Sequence, residues 1–150
     1  MSVGRRWDPL PCIITHSALL ISSAIGLICF SMVANDPADE FKYGNMGSVL
    51  FSGWCLACSI LSFIYAIVGL AHDKSSIDFQ RQHATFLKCD IFLLIMTTPL
   101  AISGAVLWLK GGPSRTIYEA YNTGVVTLWA NFLFNFLMLW QDHVSVVNYG

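Results

Sequence analysis

Charge is what this sequence has least of. Only 8 Lys and Arg and 9 Asp and Glu occur in 150 residues, or 11% of the chain, against about 25% in a typical soluble domain. With 55% apolar residues and a mean hydropathy of +0.61, the composition excludes an ordinary soluble enzyme. The same hydrophobicity excludes an intrinsically disordered chain. A formal charge of −1 excludes the basic surface on which nucleic-acid binding depends. Also missing are any Asn-x-Ser/Thr glycosylation site and any nucleotide loop, zinc-protease helix or hydrolase elbow. Neither a catalytic residue nor a metal site is expected.

What the chain does have is long uncharged windows, at 9–35, 43–72, 91–109 and 120–141. An α-helix needs about 20 apolar residues to cross about 30 Å of hydrocarbon. Each window can hold one such helix, and we place the spans near 11–33, 48–71, 86–109 and 118–140. A membrane β-barrel is excluded because the windows lack period-2 alternation. The first window is much longer than the apolar stretch of a cleaved signal peptide, so it reads as a span. The connections are too short for a soluble domain and force sequential helices to lie antiparallel. The expected fold is all-α: one integral membrane domain over residues 1–150, an up-down-up-down four-helix bundle.

Orientation follows from Lys and Arg. Arg5, Arg6, Lys74, Arg81 and Lys88 fall on one side of such a bundle, and Lys42, Lys110 and Arg115 on the other. The bias of five to three places both termini in the cytoplasm; it does not name the organelle. The five cysteines, Cys12, Cys29, Cys55, Cys58 and Cys89, sit within or at the ends of spans, which fits free thiols better than a disulfide-stapled head.

Lipid tails are as apolar as Leu, so helices in a bilayer associate through close packing and interhelical hydrogen bonds. Stripes of small residues mark where this happens: Ala18, Ser22 and Gly26 in the first span, and Thr97, Ala101 and Ala105 in the third. The fourth span carries Thr127, Asn131 and Asn135 in one row. Amides in hydrocarbon need partners, so this row faces protein, either the bundle itself or another membrane protein. Pro99 falls midway along the third span and removes one helical hydrogen bond there. Trp7, Trp54, Trp108 and Trp140 cluster near span ends as an interfacial belt.

Asp90 is the one acid that opens a span. Lys88, two positions away, points elsewhere on a helix, so its partner is expected from another helix, in a salt bridge or a cap. The other uncharged windows contain no acid, and no proton relay is expected. Histidine offers the single cofactor candidate, a haem held by His16 with His72 or His143 on a facing helix. His72, His83 and His143 lie at or beyond span ends, however, and only His16 lies inside one. We therefore expect no haem and no other cofactor.

Four spans, short loops, cytoplasmic termini and an acid opening the third span, Asp90 followed by Ala101, Gly104 and Ala105, resemble the MARVEL-domain family. The resemblance implies a non-enzymatic scaffold of vesicle trafficking, membrane apposition or junctions. Claudins, by contrast, have a long first outer loop with Trp and paired Cys, and segment 35–47 has no counterpart. A second reading is an accessory subunit of a larger membrane complex, such as a respiratory one. Either way the partners are the bilayer and other integral membrane proteins or further copies of this chain.

The orientation is directly testable. Tags at the two termini and a label in the 72–85 segment should all react from the same side of a sealed membrane. Labelling of the two termini from opposite sides would exclude the four-span arrangement.

Overall fold

The computed structural model describes residues 10–35, 46–74, 79–108 and 115–149. They form four helices: α1 Leu10–Ala34, α2 Met46–Lys74, α3 Phe79–Val106 and α4 Arg115–Tyr149, with no strand among the described residues. All four are long and apolar enough to cross a membrane, over Leu10–Ala34, Gly53–Ala71, Thr85–Val106 and Thr116–Val144. The expected all-α four-helix membrane bundle is the observed one.

Local chemistry explains the helix ends. Pro11 lies in the first turn of α1, where its missing N–H has no helical acceptor to lose. α3 begins seven residues before its expected start and α4 ends nine residues beyond its expected end. Hydropathy marks only the part of a helix in lipid, and the good helix formers Gln80, Arg81, Gln82 and Ala84 carry α3 past that boundary. Pro99 does not end α3. Immediately before it, Thr98 Oγ1 donates to the Leu94 carbonyl at 2.6 Å, the kind of side-chain bond that accompanies prolines in membrane helices.

Around the bundle the order is α2, α1, α4, α3. α1 packs along both α2 and α4, and α4 packs along α3, whereas α2 and α3 barely touch. One apolar layer, Phe30, Cys55, Cys58, Leu100, Ala101 and Leu128, draws on all four helices. A second, Leu19, Tyr65, Ala66 and Leu93, lies nearer the start of α1. Most of the long aliphatic residues point outward instead: Ile21, Ile28, Ile64, Ile95 and Leu133 are all more than half exposed, which in a bilayer means lipid contact. The pair Cys55 and Cys58 is sealed in the core as free thiols, so redox exchange with solvent is closed to it.

The stripes of small residues are largely inside, with two departures. Ser22, Gly26, Thr97 and Ala101 are buried, but Ala18 is half-buried and Ala105 exposed. Two steps of four residues rotate a helix by about 80° beyond two full turns, so an i, i+4 row drifts off a narrow contact line at one end. Seven-residue spacing drifts by only about 20°, and it tracks the observed interior: His16, Ser23 and Phe30 on α1, and Leu128, Asn135 and Asp142 on α4 are buried.

Glycines set the closest approaches. A Cβ on Gly69 would fall 2.5 Å from His16 Cδ2 and 2.8 Å from Cε1, whereas one on Gly53 would meet nothing within 4 Å. Gly69→Ala should therefore separate α1 from α2 and cost about 1–3 kcal/mol, as overpacking does. Gly53→Ala should be neutral or mildly stabilising, because Ala is the better helix former. Thermal unfolding of both variants in one detergent checks this, and equal midpoints would refute the tight contact.

Candidate functional site: a polar centre shared by four helices

Near the start of α1 and the end of α4 the interior turns polar. Gln141 Nε2 donates to Thr15 Oγ1 at 3.0 Å and ties those two helix ends together. Further in, each helix contributes one polar side chain to a common centre: His16 from α1, Tyr65 from α2, Asp90 from α3 and Asp142 from α4. Their exposures are 3%, 8%, 0% and 2%. The Tyr65 hydroxyl donates to Asp90 Oδ1, and the Asp142 side chain lies close enough to act on the Asp90 carboxyl. The His16 ring stands 5.8 Å from the Tyr65 ring, and Phe86 packs edge-on to both.

This geometry corrects two sequence-based expectations. Asp142 was placed outside the fourth span, and the other spans were read as free of acids. It lies instead inside Thr116–Val144 and faces Asp90. Nor, among the described residues, is Asp90 held by the expected salt bridge or cap. Its described contacts come from other helices, as expected, but they are a hydroxyl and a second carboxyl, while Lys88 on its own helix is exposed. Tyr65 and Asp142 are the site residues missed. The available signal was the seven-residue spacing from Asp90 to Thr97 and from Asn135 to Asp142, which places each acid on the same face as a polar residue deeper in its span.

Among the described residues, the surroundings of His16 do not fit a haem. His16 turns its Nε2–Cδ2 edge onto the α2 backbone at Gly69, where even a methyl group would collide with it. Tyr65 and Phe86 pack against the same ring. An iron bound at Nε2 would need space along that edge that α2 occupies. His143 is exposed, and the side chains of His72 and His83 lie outside the described residues.

A second set of polar groups continues from the centre into the bundle. Thr127, Asn131 and Asn135 are 6%, 1% and 0% exposed, so the row expected to face protein points into this bundle. Ser22 Oγ donates to the Thr127 carbonyl across the α1–α4 contact at 3.3 Å. Asn131 Oδ1, both amide atoms of Asn135, Ser59 Oγ, Ser62 Oγ and Thr97 Oγ1 are buried with no hydrogen-bond partner among the described residues. Groups of this kind hold ordered water inside proteins.

On the weak α2–α3 side a lateral cleft of about 330 Å³ opens beside the centre. Its walls are apolar, with Leu61, Ile64 and Val68 from α2 and Phe86, Phe92 and Leu93 from α3, and Tyr65 contributes to its lining. Comparison with protein-family models, with curated proteins and with solved structures finds no match to this chain.

Removing the phenol hydroxyl tests the centre. Tyr65→Phe leaves a buried Asp90 oxygen without its donor, which costs about 1–3 kcal/mol. The thermal midpoint of the variant in detergent should fall accordingly. An unchanged midpoint would mean that the Tyr65–Asp90 bond does not hold α2 to α3.

Proposed function

We propose that this chain is a non-enzymatic membrane protein that works by lateral association, a MARVEL-like organiser of trafficking or junctional membrane. The observation that carries the reading is the uneven closure of the bundle. Three of its four sides are packed along their length, while α2 and α3 diverge around an apolar cleft. Residues lining that side, Leu61, Ile64, Val68 and Phe92, are exposed by 43–53%. The occupant we assign to this side is a transmembrane helix of another membrane protein. Helix association in lipid rests on packing of complementary surfaces, and a side groove flanked by two helices offers a third helix such a surface.

The alternative, an accessory subunit of a larger membrane complex, uses the same face. The polar row of α4 supports neither reading now, since its side chains are enclosed within the bundle. The connections between the four spans are short.

A photoreactive residue at Phe92, facing the cleft, should cross-link to a distinct membrane protein in intact membranes. The same residue at Ile28, on the far side of the bundle on α1, should give mainly lipid adducts. Lipid adducts alone at both positions would refute lateral association through the α2–α3 side. A cross-linked product of twice the chain mass would assign the partner as a second copy.

A further inference from the structure

Hydroxyls on these helices fall into two groups. Thr15, Ser23, Thr98 and Thr127 turn back on their own helices and donate to the carbonyls of Pro11, Leu19, Leu94 and Gly124 at 2.6–2.9 Å. Ser59, Ser62 and Thr97 do not. They are 0–1% exposed, and their oxygens have no hydrogen-bond partner among the described residues. Asn131 Oδ1 and both amide atoms of Asn135 share that state. Leaving a buried polar group unbonded costs about 1–3 kcal/mol, so a dry interior would carry that cost several times over.

The five side chains stand between the two apolar layers of the bundle. On α2, Ser59 and Ser62 fall between Cys55 and Tyr65; on α3, Thr97 falls between Leu93 and Leu100. On α4, Asn131 falls between Leu128 and Phe134, and Asn135 is the next residue after Phe134. Ser62, Thr97 and Asn131 are near the middle of the spans Gly53–Ala71, Thr85–Val106 and Thr116–Val144. Facing them, α1 presents no side chain at Gly26, where an added Cβ would lie 3.1 Å from Ser59 Oγ and 2.7 Å from Thr127 Oγ1. Both hydroxyls thus border one glycine notch. Thr127 Oγ1 gives its proton to the Gly124 carbonyl and keeps its capacity to accept.

We propose that Ser59, Ser62, Thr97, Asn131 and Asn135 form a binding site for a small cluster of water molecules in the middle of the membrane. The donor set selects the ligand. Hydroxyls and amides each donate and accept, and a buried water makes about three hydrogen bonds to groups of this kind. All five side chains are uncharged, so an ion held by them alone would keep its full charge in hydrocarbon surroundings, at much greater cost. The water also has a mechanical role. α2 and α3 make only a light direct contact, and water bonded to Ser59 or Ser62 on one side and Thr97 or Asn131 on the other joins α2 to α3 and α4 at mid-depth. This inference concerns the interior and stands or fails separately from the cross-linking result for the lateral cleft.

Solid-state NMR of the full chain in lipid bilayers, with nitrogen-labelled asparagine, tests it. Magnetisation should pass from water protons to the side-chain amides of Asn131 and Asn135, whereas the methyl groups of lipid-facing Ile28 should receive it from acyl chains. Thr97→Val keeps the shape and removes the hydroxyl, and the sign of its effect separates the two states of the interior. In a dry bundle it deletes an unbonded polar group and raises the thermal midpoint; around bound water it deletes a ligand and lowers the midpoint. We expect the fall, with Thr97→Ser close to wild type in both midpoint and water transfer. Absence of water transfer to both amides, or a raised midpoint in Thr97→Val, overturns the proposal. A midpoint that depends on sodium or potassium, with no water transfer, would assign these oxygens to a cation and overturn it as well. Should Thr97→Val not fold, water transfer in the wild type decides alone.

Discussion

Hydrocarbon cannot accept or donate a hydrogen bond, and the arrangement of this chain depends on that. Backbone groups are satisfied within each helix, which is why the membrane-crossing segments are helical throughout. Side chains obey the same constraint with the opposite geometry to a soluble protein. Ile21, Ile28, Ile95 and Leu133 face outward at no cost, whereas Ser, Thr, Asn and Asp must turn inward. Within a helix some of them bond their own backbone, as Ser23 does to the Leu19 carbonyl at 2.6 Å and Thr127 to the Gly124 carbonyl at 2.6 Å. Those that cannot, the two acids and the two asparagines, meet in the interior, so polarity rather than hydrophobicity sets which face of each helix is the contact face.

The architecture was legible because it is written in the absence of charge, a signal that survives any error in packing. The four windows locate four helices without reference to one another. The site was less legible for the same reason. Treating charge as the boundary of a span cut the fourth at Gln141 and put Asp142 outside, although a carboxyl paired with another can lie two residues inside the end of the span at Val144. Asp90 was visible because it opens a window; its partner was hidden because it closes one. Tyr65 carried no signal of its own, since a tyrosine in an apolar run reads as belt or core. Small residues were read in rows of four, which located Gly26 and Ala101 but overreached to Ala105; rows of seven follow the interior more closely.

Close approach and polar contact are linked at His16. Its ring fits only because position 69 lacks a side chain, and in that position it packs against Tyr65, which in turn holds Asp90. The glycine on α2 thus helps to set where the hydroxyl of Tyr65 stands. Gly124 does the same for Phe30, whose ring atoms would lie 2.8–3.1 Å from a Cβ there, and Phe30 belongs to the apolar layer shared by all four helices.

That layer gives the polar interior a direction. From the acid pair the buried polar groups continue through Asn135, Thr97 and Asn131 to Thr127 and Ser59. Beyond them Phe30, Cys55 and Leu100 close the bundle, and Val33, Ala120, Tyr121 and Val125 fill the next stretch. A charge or a water chain crossing those layers would have to shed hydrogen bonds with nothing offered in return. Among the described residues, apolar layers therefore close the polar interior on the side away from the acids. The acids sit at the opposite end, within one to two helical turns of the limits of their spans, where water can reach them at the least cost. This asymmetry argues against a polar path through the membrane.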